Sequence, residues 1–386
     1  MDNCGTGSFV WVTPLRERKV AAQYNMEGSF GGPIYSPLHN TWKRPLQVED
    51  SGDVVLEGKS AISQVSHLGS NINQVNKALG NIGSVSMAAG KLYVTVWLGE
   101  TATFSEVFMS GFWLDGDKFL TCAHLLDTIE GTNISRTLKL LQDPTLTTRA
   151  AFVNVSRVSR DHDYTVYLIH HDRASDLAVF RLKPDAGKEK GQPPHSVDLT
   201  SLVSIYAGEP FNESNPPSSE ATLYPELFAA YYPGMQCTVT EAHLNQDRKA
   251  GAQAANVEDA WDWMSRETIS RAKENGKHCV TKSIKYAETF AANTRSVAFG
   301  RIITCASSPV LIQEPSSMTH LKNCDIVGYW GCSGGMVCQY QTAANGFEPK
   351  VVGLFHGEDT DNSCNNILVF TPGGVNELQK LLRSHA

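Results

Sequence analysis

Short runs of β-branched and aromatic residues dominate the chain from residue 91 onwards. In residues 177–182, Ala178 and Phe180 fall on one face of an extended chain, and Leu177 and Val179 fall on the other. This two-residue period predicts a strand that is buried on both faces. Comparable runs predict strands at residues 92–98, 111–114, 118–123, 151–155, 164–169, 236–240, 296–303 and 350–357.

A helical period precedes these strands. Five apolar residues spaced three and four apart share one helical face: Val65, Leu68, Ile72, Val75 and Leu79. They predict a helix over residues 60–79, which Gly80 can end. We expect its apolar face to pack on the body of the protein. The alternative is self-association through the helix 60–79, although two heptads are short for a coiled coil.

Charge and hydropathy narrow the classes of function. The 386 residues carry a net charge of −7, with acidic and basic residues mixed along the chain. The chain has no basic block of the kind that predicts binding to nucleic acid. No apolar run approaches the length of about 18 residues that spans a membrane. Residues 1–7 have neither the basic start nor the apolar core of a secretory signal. We therefore predict a cytoplasmic or nuclear protein.

The cysteine count agrees with that compartment. Nine cysteines are an odd number, and their spacing is not that of a disulfide framework. Reduced thiols are the expected state in the cytosol or nucleus. Three glycosylation-type triplets begin at Asn133, Asn154 and Asn212, and they would matter only in a secreted protein.

Residues 331–335 read Gly-Cys-Ser-Gly-Gly, which suits a serine on a tight turn. Glycines permit positive φ and let a substrate carbonyl approach the backbone. The amides of Gly331 and Ser333 could then point at one spot and stabilise a developing oxyanion. Alone, the pattern is equally typical of a flexible loop.

Two other stretches supply partners for this serine. Residues 111–124 read as a strand, a turn at 115–117, a second strand and then His124. Asp176 directly precedes the predicted strand 177–182. In the order His124, Asp176, Ser333, these motifs resemble those of chymotrypsin-fold serine peptidases, with the HtrA-type and other intracellular trypsin-like branches the most similar.

The resemblance covers about residues 91–382 and implies a fold and a reaction. The fold would be mainly β, with two six-stranded antiparallel β-barrels and the site in the cleft between them. The protein would be a serine endopeptidase that cleaves peptide or protein substrates through an acyl-enzyme, without a cofactor or a metal. Ser333 would be the nucleophile, His124 the base and Asp176 the group that orients His124, with Gly331 and Ser333 forming the oxyanion hole.

Composition and periodicity divide the N-terminal part of the chain, and the resemblance divides the rest. We predict an irregular N-terminal arm over 1–58, an amphipathic helix over 59–82, a first barrel with His124 and Asp176 over 83–195, and a second barrel with Ser333 over 196–386. The second barrel would carry a helical insertion at about 247–292, with Asn256 as a candidate helix N-cap, and end in a helix over residues 375–382.

Alternatives exist for each role. Asp172 is a rival for the acid, but no apolar strand follows it directly. Cys332 is a rival nucleophile, but it precedes the position of the nucleophile, and we expect it to be structural. The pairs Cys122/His124 and 278/279 contain metal-ligand residue types but lack a second paired cluster with zinc-like spacing.

The resemblance also places a specificity pocket. Its floor would be Val327, and one wall would be formed by His356, Gly357 and Glu358. A valine floor argues against a preference for Lys or Arg, while Glu358 leaves a basic preference open. Glutamate-cleaving relatives carry a histidine in the same strand, but His356 is one residue out of step with it.

A second function of a different class stays open. The same fold could serve as a catalytically silent protein that binds peptides or acts as a scaffold, because the N-terminal arm or the insertion could block the cleft. The complete set of His124, Asp176 and Ser333 argues against this function.

The cysteine analysis generates a direct test. Alkylation of the unfolded protein without reductant should modify close to nine thiols, because reduced cysteines are expected. Reduction before alkylation serves as the control and should add almost none. A count near one, with four disulfides, would contradict the predicted compartment.

Overall fold

The computed structural model describes sixteen segments of the chain. They are residues 45–56, 65–97, 104–128, 138–139, 141–143, 151–156, 164–183, 194–203, 211–212, 226–233, 294–304, 318–326, 328, 331–343, 346–359 and 364–384. The predicted strand 236–240 and the predicted insertion at about 247–292 lie outside the described residues, as does most of the predicted arm.

Strands account for most of the described residues. In chain order they are β1 (Leu46–Gln47), β2 (Ala89–Trp97), β3 (Phe104–Leu114), β4 (Lys118–Cys122), β5 (Ala151–Ser156), β6 (Tyr164–Asp172), β7 (Leu177–Leu182), β8 (Phe211–Asn212), β9 (Leu227–Tyr231), β10 (Ser296–Gly300), β11 (Ile303–Thr304), β12 (Thr319–Cys324), β13 (Met336–Ala343), β14 (Gly346–Asp359) and β15 (Cys364–Phe370). Helix α1 spans Ile72–Ser86 and helix α2 spans Pro372–Ser384. The predicted mainly β class is confirmed, with two large antiparallel sheets where two six-stranded barrels were predicted; one of these sheets has seven strands.

Six strands of the first sheet close on themselves in the order β2-β3-β4-β7-β6-β5. The predicted turn joins β3 to β4, and Asp115 has a φ of 48° there. The pairing of β4 with β7 sets Cys122 opposite Leu177. Because His124 follows β4 and Asp176 precedes β7, this register brings the two residues to the same end of the sheet.

The second sheet has seven strands in the order β1-β10-β9-β13-β14-β15-β12. Its two edges approach at a single bridge between Ile302 and Cys324, where the amide of Asp325 also donates to the carbonyl of Arg301 at 3.1 Å. Both faces of β9 are buried: Leu227 packs into one hydrophobic cluster and Phe228 into another. Successive side chains of a strand point to opposite faces, so apolar residues pack against both faces of this sheet.

The region predicted as an irregular arm contributes to this sheet. Strand β1 pairs with β10, and the amide of Val48 donates to the carbonyl of Arg295 at 2.9 Å. The buried guanidinium of Arg295 donates in turn to the carbonyl of Glu49 at 3.2 Å. A two-residue strand has no readable period, so its formation depends on its partner in the sheet.

The helix predicted over residues 60–79 is wrong in its continuity and in its end, and its predicted start at residues 60–64 lies outside the described residues. Asn71 begins it, because its side chain accepts a hydrogen bond from the amide of Gln74 at 3.1 Å. Val65 and Leu68 therefore precede the helix, and Gly80 lies within it instead of ending it.

Helix α1 buries one apolar face in the core of the protein. Val75, Leu79 and Ile82 join the hydrophobic core, whereas Ile72 is 52% exposed. The helix thus buries its face within the same chain, as we expected, and self-association through residues 60–79 has no support from this packing.

The connection between the two sheets and the C-terminal helix complete the described fold. Residues 194–203 bridge the sheets, because Val197 pairs with Leu114 and Leu202 pairs with Val351. Helix α2 includes the predicted helix 375–382 and buries Leu378 in the core. In the described part of the chain, no helix is long and apolar enough to cross a membrane.

Two glycines of α1 offer a matched test of its packing. A Cβ on Gly83 would lie 1.8 Å from the carbonyl oxygen of Gly52, whereas a Cβ on Gly80 would meet no atom within 4 Å. We expect Gly83→Ala to destabilise the protein by about 1–3 kcal/mol, as overpacking does, and Gly80→Ala to stabilise it by about 0.5–1 kcal/mol. Urea denaturation measures both, and equal stabilities would contradict the packing of α1 on the turn at Gly52.

Candidate active site

Asp176 and His124 form a two-point contact. Asp176 Oδ1 accepts the backbone N–H of His124 at 2.6 Å, and Asp176 Oδ2 lies 2.7 Å from His124 Nδ1. Because a carboxylate only accepts, Nδ1 carries hydrogen and Nε2 of the neutral ring keeps its lone pair. The contact therefore fixes both the orientation and the tautomer of His124.

The backbone around Asp176 is held in an uncommon conformation. Asp176 has a φ of 48°, a left-handed value that side-chain-bearing residues adopt rarely. Its amide donates to the carbonyl of Arg173 at 3.3 Å, and its carbonyl accepts the amide of Ala123 at 3.1 Å. These contacts aim the carboxylate across the sheet towards His124.

The protonation of Asp176 follows from its neighbours. Burial alone would raise the pKa of Asp176, but the charge and hydrogen bond of His124 and the hydrogen bond of His356 hold it well below its usual range. The carboxylate is therefore ionised at neutral pH and acts as an acceptor for both imidazoles.

Ser333 lies on a turn that is held from two sides. The amide of Gly334 donates to the carbonyl of Phe355 at 2.7 Å, and the amide of Phe355 donates to the carbonyl of Gly335 at 2.7 Å. Gly334 has a φ of 82°, and a Cβ there would lie 2.1 Å from the carbonyl oxygen of Ser110. Only glycine fits this position, for reasons of both conformation and space.

Ser110 of β3 anchors the start of the same turn. Its amide and its hydroxyl both donate to the carbonyl oxygen of Gly331, at 2.7 and 2.5 Å. Gly331 has a φ of 83°, so anchoring its carbonyl also sets the direction of its amide. Ser110 was not predicted as a site residue, since nothing in its local sequence distinguishes it from other serines in strands.

The hydroxyl of Ser333 is engaged by a backbone carbonyl. Its Oγ donates to the carbonyl oxygen of His356 at 2.8 Å, and among the described residues no hydrogen bond joins Ser333 to His124. Within that same part of the chain, the amides of Gly331 and Ser333 donate to no acceptor. The turn thus presents two unused donors beside a hydroxyl group.

His356 joins the cluster through its side chain as well. Its Nε2 lies 3.3 Å from Asp176 Oδ2, and its ring meets that of His124 at a centroid distance of 5.2 Å. We predicted His356 as a wall of the specificity pocket, and the structure directs its imidazole to Asp176. The pairing of the two depends on tertiary contacts that no local motif signals.

The other predicted pocket residues are described incompletely. Val327 lies outside the described residues, as does the side chain of Glu358. Gly357 pairs with Asn366 after a bulge in β14. The specificity pocket therefore stays a prediction.

Asp172 and Cys332, the alternative acid and the alternative nucleophile, have other surroundings in the structure. Asp172 Oδ1 accepts the amide of Ala174 at 3.0 Å within its own turn. Cys332 is fully buried in the core of the second sheet. None of the four cysteines whose side chains are described forms a disulfide, and these are Cys122, Cys324, Cys332 and Cys338.

Cys122 lies close to the side chains of His124 and Asp176. Potential ligand atoms of Cys122, His124 and Asp176 all fall within 4.8 Å of one another. Burial, together with the charge of Asp176, raises the pKa of the Cys122 thiol well above its usual range. At neutral pH this group is therefore a thiol, and it lies beside the hydrogen-bonded imidazole of His124 and the carboxylate of Asp176.

Comparison with solved structures finds similar chains of the predicted class. The Rv3671c protease of M. tuberculosis, in an inactive form, is 14% identical, with a TM-score of 0.34 over 78% of this chain and 91% of that one. Deg5 is 11% identical, with a TM-score of 0.37 over 77% of this chain and 88% of its own. The MamO protease domain of Magnetospirillum magneticum is 11% identical, with a TM-score of 0.35 over 78% of this chain and 97% of its own.

No protein-family model matches the sequence. No functionally characterised protein of similar sequence matches it either.

The ionised state of Asp176 predicts a pH-dependent stability. Its folded-state pKa lies below the unfolded value of about 3.9, so its contribution is complete above that pH and is lost as pH falls towards the folded-state pKa. We expect Asp176→Asn to be less stable than the wild-type protein at neutral pH, and the difference in the free energy of unfolding to shrink below about pH 4.

Urea denaturation at a series of pH values measures this difference. Asp172→Asn is the matched control, because Asp172 lies at the end of β6 and, among the described residues, accepts only the local amide of Ala174. Its effect should stay within about 0.5 kcal/mol throughout. A deficit of Asp176→Asn that is undiminished in acid would show that the ionised carboxylate is not what stabilises the fold.

Proposed function

We propose that the protein is a serine endopeptidase whose two β-barrels hold Ser333, His124 and Asp176 in the cleft between them. The observation that carries the proposal is the oriented pair of His124 and Asp176, linked to Ser333 through His356. Three residues distant in the sequence thus share one cluster, with the tautomer of His124 that a base requires.

The chemistry follows from the atoms present. Ser333 Oγ attacks the carbonyl carbon of a peptide bond as its proton passes to the lone pair of His124 Nε2. The unused amides of Gly331 and Ser333 donate to the oxyanion that forms. The intermediate then expels the amine, which takes the proton from His124 and leaves an acyl group on Ser333. Water, deprotonated by His124, hydrolyses that ester and restores the hydroxyl.

One movement is needed for this reaction. The Ser333 hydroxyl must leave the carbonyl of His356 and turn towards His124, a rotation about one side-chain bond. Hydrogen bonds of this kind are often loose without substrate and tighten when substrate binds. Ser333 is 8% exposed, so a bound peptide has to reach it through the cleft.

The second candidate is a catalytically silent protein that binds peptides in the same cleft. The observation that favours it is the hydrogen bond of Ser333 to the His356 carbonyl, which leaves the hydroxyl unactivated. Such a protein would bind a peptide and release it uncut.

A fluorophosphonate probe separates the two functions. It phosphonylates a serine only when a neighbouring base activates the hydroxyl. We expect the wild-type protein to be labelled at Ser333, and Ser333→Ala and His124→Ala to lose labelling and peptide hydrolysis by about 10⁴-fold or more. Ser384→Ala, which changes an exposed serine at the end of α2, is the control and should behave as the wild-type protein does.

Folding of each variant is checked by its urea transition. A folded wild-type protein that stays unlabelled and returns a bound peptide library uncut would contradict the endopeptidase and support the silent binder.

A further inference from the structure

His356 contacts all three members of the proposed triad. Its Nε2 lies 3.3 Å from Asp176 Oδ2, its ring packs against the edge of His124 at an interplanar angle of 66°, and its carbonyl accepts the Ser333 hydroxyl. Side chain and backbone of one residue therefore serve different members of the same cluster.

The hydrogen on the His356 ring can be assigned from its surroundings. Nδ1 is buried and has no hydrogen-bond partner among the described residues, whereas Nε2 faces a carboxylate oxygen. A hydrogen on Nδ1 would be a buried donor without an acceptor, which is costly. Placing it on Nε2 satisfies Asp176 and leaves only a lone pair unpaired.

Asp176 needs this donor because its carboxylate is largely out of water. Its side chain is 16% exposed, and Oδ2 serves both imidazoles while Oδ1 serves the His124 amide. Among the described residues, the Cys122 thiol is the remaining titratable group beside the carboxylate. A second donor on Oδ2 limits rotation of the carboxylate and so holds the oxygen that His124 uses.

We propose that His356 is a positioning residue of the active site, which fixes the Asp176 carboxylate through its Nε2–H and so keeps His124 oriented as the base. This proposal rests on the proposed function, because the orientation of His124 matters only if His124 acts as the base in turnover. It acts through Asp176 and does not touch the reacting atoms. Its backbone carbonyl meanwhile holds the Ser333 hydroxyl until a substrate draws that hydroxyl to His124.

Two substitutions separate this role from simple packing. His356→Leu removes the N–H donor and replaces the imidazole with an apolar side chain that still fills part of its space. His356→Gln removes the ring but places an amide N–H where Nε2 stood. A structural role predicts that both variants behave alike, whereas the positioning role predicts that only His356→Leu is impaired.

Spectroscopy tests the proposal without any turnover. Nitrogen NMR of the histidine-labelled wild-type protein should show His356 with hydrogen on Nε2. In His356→Leu, the Asp176 carboxyl should titrate at a higher pH than in the wild-type protein, and the His124 Nδ1–H signal should exchange faster with water. His356→Gln should restore both. Hydrogen on Nδ1, or equal behaviour of the two variants, would overturn the proposal.

Kinetics give the second readout. We expect kcat to fall about 10- to 100-fold in His356→Leu, the range that one lost hydrogen bond to a charged group corresponds to, with KM nearly unchanged. His356→Gln should recover most of that loss. A change in KM alone would place His356 in substrate binding and overturn the positioning role.

The two readouts also separate the failure of this proposal from failure of the proposed function. If the wild-type protein cleaves nothing, the NMR comparison still decides the role of His356 towards Asp176. If His356→Leu does not fold, the tautomer in the wild-type protein and the titration of Asp176 in His356→Gln decide it.

Discussion

The two sheets meet at a point where the backbone has no room for a side chain. Gly334 packs against the carbonyl oxygen of Ser110 and the hydroxyl of Thr121, with a would-be Cβ at 2.1 and 2.2 Å from them. This contact sets the turn of Ser333 directly against β3 and β4. Since β4 leads straight into His124, the close approach of backbone to backbone is what places a residue of the second sheet beside residues of the first.

Hydrogen bonds then hold the contact in register. Thr121 Oγ1 donates to the Ser110 carbonyl at 2.6 Å, and Ser110 donates twice to Gly331. The Ser110 hydroxyl oxygen also accepts the amide of Tyr232 at 2.8 Å, which ties it to the segment just after β9. Ser110, Thr121 and Tyr232 are buried and Gly331 is partly buried, and a lost partner there costs more than it does at the surface. The turn is therefore rigid where it carries the two unused amides.

Asp176 is the electrostatic counterpart of that packing contact. A carboxylate just before the start of β7 is largely buried beside a thiol and two imidazoles, and it stays ionised because three donors converge on its two oxygens. Its positive φ is maintained by the surrounding hydrogen bonds, as is usual for strained residues at functional sites. The Asp176 carboxylate orients both histidines, and the contact of Gly334 with Ser110 places the turn of Ser333 near them.

Local sequence determined some of the elements and, together with the family resemblance, the candidates for the chemistry; β9, β12, β13 and β15 were not predicted. Alternation predicted β4 and β7, and the Asp115–Gly116 turn and the triad candidates were all readable, since each depends on neighbours within a few residues. The tertiary structure decided the rest. Strand β1 forms only on its partner β10, and α1 runs through Gly80 because the second sheet buries Ile82. The contact of His356 with Asp176 joins residues 180 apart (356 − 176). No local pattern encodes such a pair, because its energy exists only once two sheets have packed.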